Sequence, residues 1–259
     1  MDAVGYLILG VAAGILSGLF GIGGGIVMVP SLIVFFGMDI LDANATSLAA
    51  MLLPVGILGV VAYYKAGLIN VRDSLWIAGG LFLGSFAGGE FAMTISEGFL
   101  AKLYAIILIY IAFNYLDVPS WFKKGKRSKP KLNEPELRRP FWTYLLVGVG
   151  AGIFAGLFGK GGGIVIVPLL IAIFKYEPKK AAATSLAALQ LPVGLPSVVI
   201  YAQNGHLNLL FAAFIAFGIL FGAFFGSKLG VKLPSAVFKK VFAVFLIFVA
   251  TYMVYKYMS

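Results

Sequence analysis

The chain consists of long apolar stretches that are separated by short polar or charged segments. The apolar stretches cover residues 3–38, 43–64, 74–89, 98–116, 141–159, 161–174, 181–227 and about 236–256. Several have at least the roughly 20 residues with which a helix crosses the hydrocarbon core of a bilayer. The pattern predicts an all-α, polytopic membrane protein.

The first stretch, residues 3–38, is too long for one straight membrane helix, which would extend roughly 54 Å. Gly21 and Gly23–Gly25 interrupt it, and Pro30 follows. Glycine readily adopts the backbone conformations that end a helix. We therefore predict a glycine-broken hairpin of two short helical arms, with its tip inside the membrane, and a second such hairpin over 141–175.

The second half of the chain repeats the first half at an offset of 138 residues, without a gap. Across 18–34 and 45–56, 23 of 29 positions are identical to those of the second half, which biased composition cannot produce in a fixed register. We predict a first transmembrane repeat over 1–118, a basic linker over 119–140 and a second transmembrane repeat over 141–259.

Composition narrows the class of protein further. Hydrophobic residues make up 61% of the 259 residues and charged residues 12%, against about 45–50% and about 25% in soluble domains. A soluble enzyme, a disordered protein and a DNA-binding domain are excluded, so nucleic acid is not an expected partner. The chain has no Cys and one His, and we predict no catalytic residue, metal site or cofactor.

Lys and Arg residues occupy alternate loops. They occur in the linker, in the 65–73 and 175–180 loops and around 228–240, but not in the 37–43, 90–98 and 203–208 loops. Basic loops stay on the cytoplasmic side, which places all but three of the 20 basic residues inside. Equivalent loops then face opposite sides, so we predict two inverted-topology repeats, each with a broken hairpin and three transmembrane helices.

Inverted repeats with Gly/Pro-interrupted segments are typical of secondary transporters, whose binding site lies at the repeat interface. The arms that begin near Ile26 and Ile164 would direct free N–H groups and positive dipole ends to the interior. Two such N-termini form an anion site, and Lys160 adds a full positive charge. The expected partners are a small anionic substrate and the lipid bilayer.

The candidate site residues lie in the glycine runs and on the helices that follow. Each has an alternative role: close helix packing for the glycines, snorkelling for Lys160, bonding to the preceding turn for the hydroxyls and interhelical bonding for Gln190 and Ser197. The predicted substrate-binding residues are Gly23, Gly24, Gly25, Thr46, Ser47, Lys160, Gly161, Gly162, Gly163, Thr184, Ser185 and Gln190.

The remaining polar residues are expected at the membrane boundary. We predict His206 as a loop residue of an outer turn, Glu90 at an outer helix end, and Asp73 as a boundary residue. No buried carboxylate network for proton coupling is predicted.

The duplicated glycine run with Val-Pro, followed by Ala-Thr-Ser-Leu, resembles the TauE/SafE family, also called the toluene-sulfonate uptake permeases. The resemblance covers residues 5–255. It implies a multi-pass carrier of the bacterial inner membrane for sulfite, sulfoacetate or another organosulfonate, with export the expected direction. The motif positions it implies are Gly21, Gly23–Gly25, Pro30, Thr46, Ser47 and their counterparts Gly159, Gly161–Gly163, Pro168, Thr184 and Ser185.

The sequence is also compatible with other functions. A proton-coupled uptake carrier and an anion channel are the alternatives within transport. A membrane enzyme and a non-transporting scaffold are the alternatives outside it. A homodimer would give so small a carrier a fixed partner to move against.

Overall fold

The structure is a computed structural model of the chain. It describes residues 2–21, 23–54, 56–96, 99, 102–103, 106, 139–159, 162–233, 237, 247, 251 and 255. The last predicted helix of each repeat, over 98–116 and about 236–256, lies almost entirely outside the described residues. So does the linker, apart from its last two residues.

The described residues form helices and no strands, which confirms the all-α prediction. The helices of the first repeat are α1 (Asp2–Phe20), α2 (Gly25–Phe35), α3 (Ile40–Ala50), α4 (Ile57–Lys65) and α5 (Val71–Thr94). Those of the second repeat are α6 (Phe141–Phe158), α7 (Gly163–Phe174), α8 (Pro178–Ala188), α9 (Leu195–Gln203) and α10 (Leu209–Lys232). Both ends of α3, α4 and α5 recur 138 residues later in α8, α9 and α10.

The two arms of each hairpin differ in length, so the prediction of two short arms is wrong for the first arm. Helices α1, α5, α6 and α10 are long and apolar enough to cross a membrane, whereas α2 and α7 have only 11 and 12 residues. A Cβ on Gly24 would lie 3.1 Å from the carbonyl oxygen of Ala13, which shows that the chain folds back on itself. The second arm therefore begins beside the middle of the first.

The apolar stretches 43–64 and 181–227 each contain a break that the hydropathy pattern does not show. Helix α3 ends at Ala50 and α4 begins at Ile57, while α8 and α9 are separated in the same way. Proline has no N–H to donate to a helix, and each break contains one, Pro54 or Pro192. Each repeat thus contains a broken hairpin and a broken helix.

Glycine stripes join the two repeats. Helix α1 packs parallel to α10, and α5 packs parallel to α6, with backbone against backbone. The stripes are Gly10, Gly14 and Gly18 against Gly218, Gly222 and Gly226, and Gly80, Gly84 and Gly88 against Gly148, Gly152 and Gly156. Small residues at this spacing let membrane helices approach closely. Since each pair takes one helix from each repeat, the repeats interlock.

The broken helices of the two repeats run past each other in opposite directions. In order along the first repeat, the contacts are Asn44 with Tyr201, Leu48 with Gly194, Gly56 with Gln190 and Gly59 with Leu186. The order reverses along the second repeat, so the segments are antiparallel and cross near their proline breaks.

Candidate functional site: the tips of the two glycine hairpins

Both glycine runs fold in the same left-handed backbone conformation. Gly21 and Gly24 have φ of 67° and 74°, and their counterparts Gly159 and Gly162 have φ of 65° and 67°. Residues with a Cβ rarely adopt this conformation. The sequence therefore turns sharply after α1 and α6 and begins α2 and α7.

The first glycine of each run contacts the other repeat. A Cβ on Gly21 would lie 2.1 Å from the carbonyl oxygen of Ala182, and one on Gly159 would lie 2.4 Å from Cα of Asn44. Ala182 on α8 is the repeat counterpart of Asn44 on α3. The contact is reciprocal, and only glycine fits it.

Two serines hold the tips by reciprocal hydrogen bonds. The Ser47 hydroxyl on α3 donates to the carbonyl of Gly159 at 2.7 Å, and the Ser185 hydroxyl on α8 donates to the carbonyl of Gly21 at 2.9 Å. Neither serine uses its proton on its own preceding turn. Each cross-links its repeat to the hairpin tip of the other.

Two tyrosines that the sequence analysis did not single out complete this arrangement. The Tyr63 hydroxyl on α4 donates to the carbonyl of Gly18 at 3.0 Å, and the Tyr201 hydroxyl on α9 donates to that of Gly156 at 2.9 Å. The sequence could have indicated them, because the two tyrosines are separated by the 138-residue offset of the repeats. Together with the serines they satisfy carbonyls at the ends of α1 and α6, which lack helical partners.

The N-termini of α2 and α7 are buried, and no side chain caps them. Gly24 and Gly162 are the N-cap residues, and neither can offer a side-chain acceptor to the first turn. A Cβ on Gly162 would lie 2.9 Å from the carbonyl oxygen of Ala151, which places this N-terminus beside the middle of α6. Free N–H groups and the positive end of a helix dipole favour an anion.

Apart from the half-buried Gln190, the described site residues are enclosed by protein. Thr46, Ser47, Thr184 and Ser185 have at most 1% of their surface exposed, and the described glycines at positions 23–25 and 162–163 are buried. Thr184 Oγ1 accepts a hydrogen bond from the backbone N–H of Asn70 at 3.3 Å. Lys160 and Gly161 lie outside the described residues.

A small apolar cavity of about 20 Å³ lies between the broken helices and the second hairpin. Its lining residues are Leu48, Met51, Leu81, Ala155, Leu189, Val193 and Gly194. This volume holds about one water molecule. A larger ligand can occupy this region only if the lining side chains or helices move.

Two buried amides have an oxygen without a hydrogen-bond partner. The Asn44 amide donates to the carbonyl of Leu157 at 3.1 Å, and the Gln190 amide donates to that of Leu186 at 2.8 Å, but Oδ1 of Asn44 and Oε1 of Gln190 are unpaired. Leaving a buried polar atom unpaired is costly. Gln190 is one of the predicted substrate-binding residues. Asn44 was not predicted, although its replacement by Ala182 in the second repeat breaks the symmetry of the repeats in the same way as Gln190 does. Such amides are candidates for contact with a ligand.

Ser197 has the interhelical role that was its alternative. Its hydroxyl donates to the carbonyl of Ser85, and the Ser85 hydroxyl donates to the carbonyl of Val193 at 2.8 Å. These bonds join α5 to α9 and to the break that precedes it.

A second, larger cavity of about 470 Å³ opens where α5, α6 and α8 begin. It is lined by Asn70, Arg72, Asp73, Trp76, Arg139, Pro140, Phe141, Tyr144, Tyr176 and Lys180. Asp73, predicted as a boundary residue, lies in the first turn of α5 and is buried in the cavity wall, where Asn70 donates to its carboxylate at 2.7 Å and Tyr176 also donates to it. Burial and the Asp73 carboxylate raise the pKa of the Tyr176 hydroxyl, which therefore remains a neutral donor.

At the opposite end of the protein, His206 lies in the turn between α9 and α10, as predicted. Its Nδ1 is 2.7 Å from the Asp42 carboxylate at the start of α3, so this pair also bridges the repeats. Across the described ranges of the chain, no three His, Asp or Glu side chains come together as a metal ion would require.

Comparison with known proteins places this architecture among membrane transporters. Residues 6–253 match the family described as sulfite exporter TauE/SafE. The chain is 27% identical to the probable membrane transporter protein YunE of Bacillus subtilis, over 82% of each chain. It is 35% identical to a probable membrane transporter protein of Methanocaldococcus jannaschii, over 71% of this chain and 67% of the relative.

A third relative is matched over more of its length: the chain is 26% identical to the probable membrane transporter protein YdhB of Bacillus subtilis, over 90% of this chain and 91% of the relative. No solved structure matches the chain. Because the family match extends over nearly the whole sequence, the chain belongs to the TauE/SafE family of multi-pass membrane transporters.

Proposed function

We propose that the protein is a secondary carrier that exports a small sulfur-containing anion, such as sulfite, sulfoacetate or another organosulfonate. The observation that carries this proposal is the pair of buried, uncapped helix N-termini that follow the glycine runs. Such N-termini bind oxyanions through backbone N–H groups. The family's description as sulfite exporters supports the substrate class.

The proposal places the site between two inverted-topology repeats, 1–118 and 141–259, that are joined by a cytoplasmic linker over 119–140. Two independent observations support this orientation. The broken helices of the two repeats run antiparallel, and Lys and Arg residues alternate between loops as the positive-inside rule requires.

Within the site, the backbone N–H groups of Gly23–Gly25 and Gly161–Gly163 would contact the anion, with Lys160 supplying full positive charge. The unpaired atom of Gln190 is Oε1, an acceptor, so it would bind a hydrogen-bond donor of the substrate rather than its oxyanion group. The hydroxyls of the two Thr-Ser pairs are also proposed contacts. The serines already hold the tips, so they would position the glycines as well.

Export agrees with the membrane potential. One negative charge that leaves a cell with a negative interior gains about 2.3 kcal/mol per 100 mV, nearly fifty-fold in concentration. A uniporter could therefore accumulate the anion outside without a coupled ion.

The test combines a thermal-shift panel with transport in proteoliposomes. The panel comprises sulfite, sulfoacetate, taurine, sulfate and carboxylate analogues, and Lys160→Ala should lose most of the anion-dependent shift while Lys65→Ala, an exposed control, keeps it. Efflux should saturate, show counterflow and rise with an imposed potential. No shift with any anion would contradict the proposal, and efflux that ignores the potential would contradict electrogenic export.

A further inference from the structure

The large cavity at the start of α5, α6 and α8 is suited to an anion. Its lining includes the three cations Arg72, Arg139 and Lys180 and one acid, Asp73. The acid is already bonded to Asn70 and Tyr176. The walls therefore carry a net positive charge, and the exposed side chains of Arg72 and Arg139 contribute most of it.

The backbone adds to this positive field. Asn70 and Pro140, both in the lining, are the N-cap residues of α5 and α6, and Lys180 lies in the first turn of α8. The N-termini of α6 and α8 have no side-chain cap, and each carries a partial positive charge that complements the side chains. The N-terminus of α5 is capped by Asn70 Oδ1 and has Asp73 in its first turn, so it adds little to this field.

The size and the remaining walls fit a small organic molecule. A volume of about 470 Å³ lies within the roughly 300–1,000 Å³ of small-molecule sites. Trp76 and Phe141 form an aromatic wall with ring centroids 4.7 Å apart, which could cover the apolar part of a ligand. The Tyr176 and Asn70 side chains add polar groups at the base.

The equivalent positions at the opposite end of the protein do not repeat this charge pattern. Leu210 replaces Arg72, Phe211 replaces Asp73 and Asp42 replaces Lys180. The positive charge of this cavity is therefore confined to one end of the protein.

The cavity is also connected to the helix that holds the first tip. The backbone N–H of Asn70 donates to Thr184 Oγ1 at 3.3 Å, and the Ser74 hydroxyl donates to the Thr184 carbonyl at 3.0 Å. The next residue, Ser185, holds the carbonyl of Gly21 at 2.9 Å.

We propose that this cavity is a loading site that binds the transported oxyanion on the linker side before the anion reaches the hairpin tips. The inference rests on the proposed export function. The oxyanion is a free sulfonate or sulfite rather than the phosphate of a lipid headgroup.

Trp76 provides a local reporter of binding. With Trp121→Phe and Trp142→Phe in the background, Trp76 is the remaining tryptophan of the three. The ratio of iodide quenching to neutral acrylamide quenching should be higher for Trp76 than for free tryptophan, and sulfoacetate should displace iodide saturably. Arg72→Gln and Arg139→Gln should each lower iodide quenching roughly threefold, because one positive charge at about 7 Å in water raises the local iodide concentration by roughly that factor. The exposed control Lys232→Gln should leave quenching unchanged.

Nanodiscs with and without phosphatidylglycerol separate the two sources of oxyanion. If phosphatidylglycerol blocks iodide quenching and sulfoacetate has no effect, the cavity holds a lipid headgroup and the proposal is overturned. Equal iodide quenching in the parent and Arg72→Gln proteins also overturns it.

Transport distinguishes failure of this inference from failure of the export function. From the linker side, Arg72→Gln should raise the sulfoacetate concentration for half-maximal efflux severalfold with little change in maximal rate. Saturable efflux with an unchanged half-maximal concentration refutes the loading site alone. Absence of efflux in the parent protein refutes the export function.

Discussion

At the scale of single residues, the hairpin tips depend on glycine for two separate reasons. Gly21 needs a positive φ, and it also lies against the backbone of Ala182. Gly37 has the same φ of 67°, but nothing lies within 4 Å of the position its Cβ would take. The two glycines can therefore separate conformational strain from close packing.

We predict that Gly21→Ala destabilises the protein by about 1–3 kcal/mol more than Gly37→Ala does, the usual cost of overpacking. Both variants share the left-handed backbone penalty of about 1–2 kcal/mol. Thermal unfolding in detergent measures the difference. Equal melting temperatures for the two variants would show that Ala182 does not restrict the tip.

At the scale of helices, the glycine stripes predict that alanine at two neighbouring positions on α5 changes the free energy of unfolding in opposite directions. A Cβ on Gly80 would lie 2.1 Å from the carbonyl oxygen of Leu145, whereas one on Gly79 would meet only a Leu145 methyl at 3.7 Å. The first position is in the contact with α6, and the second lies at its margin.

Gly80→Ala should lower the free energy of unfolding by about 1–3 kcal/mol, because the helices must move apart. Gly79→Ala should raise it by about 0.4–1 kcal/mol, because alanine restricts the unfolded chain. Thermal unfolding of the two variants checks the signs. If both stabilise, the parallel packing of α5 on α6 is incorrect.

The helices also show what the sequence can and cannot predict. The glycine runs predicted both hairpin turns, because a long uncharged stretch must break where the backbone is most permissive. The breaks at Pro54 and Pro192 were missed. The residues on both sides of each proline are uncharged, so each hydropathy pattern resembles that of one continuous membrane span. The burial of Asp73 was missed because its partner Tyr176 is 103 residues away, and local patterns contain no information on such contacts.

At the scale of the whole molecule, the two repeats are joined at the end remote from the large cavity by the pair of Asp42 and His206. A carrier that alternates access must separate its halves at one end and then at the other. A covalent link at this position should therefore stop the cycle.

The chain contains no native Cys, so the variant Asp42→Cys/His206→Cys can be cross-linked cleanly with a short bifunctional thiol reagent. We predict that cross-linking abolishes sulfoacetate efflux, that a cleavable linker restores it after reduction, and that either single variant is unaffected by the reagent. Full efflux through the cross-linked protein would contradict a mechanism in which this end opens.

The orientation of the repeats determines all of these movements, and equivalent exposed residues can report on it. Asp39 and Glu177 are repeat counterparts, 138 residues apart, and occupy the N-cap positions of α3 and α8 without a side-chain capping bond. Cysteine at either position should leave the helices intact.

The most direct measurement is the labelling of Asp39→Cys and Glu177→Cys with a membrane-impermeant maleimide, in right-side-out and in inside-out vesicles. We predict that Asp39→Cys reacts only in right-side-out vesicles and Glu177→Cys only in inside-out vesicles. Reaction of both positions from the same side would contradict inverted repeats and the shared anion site that depends on them.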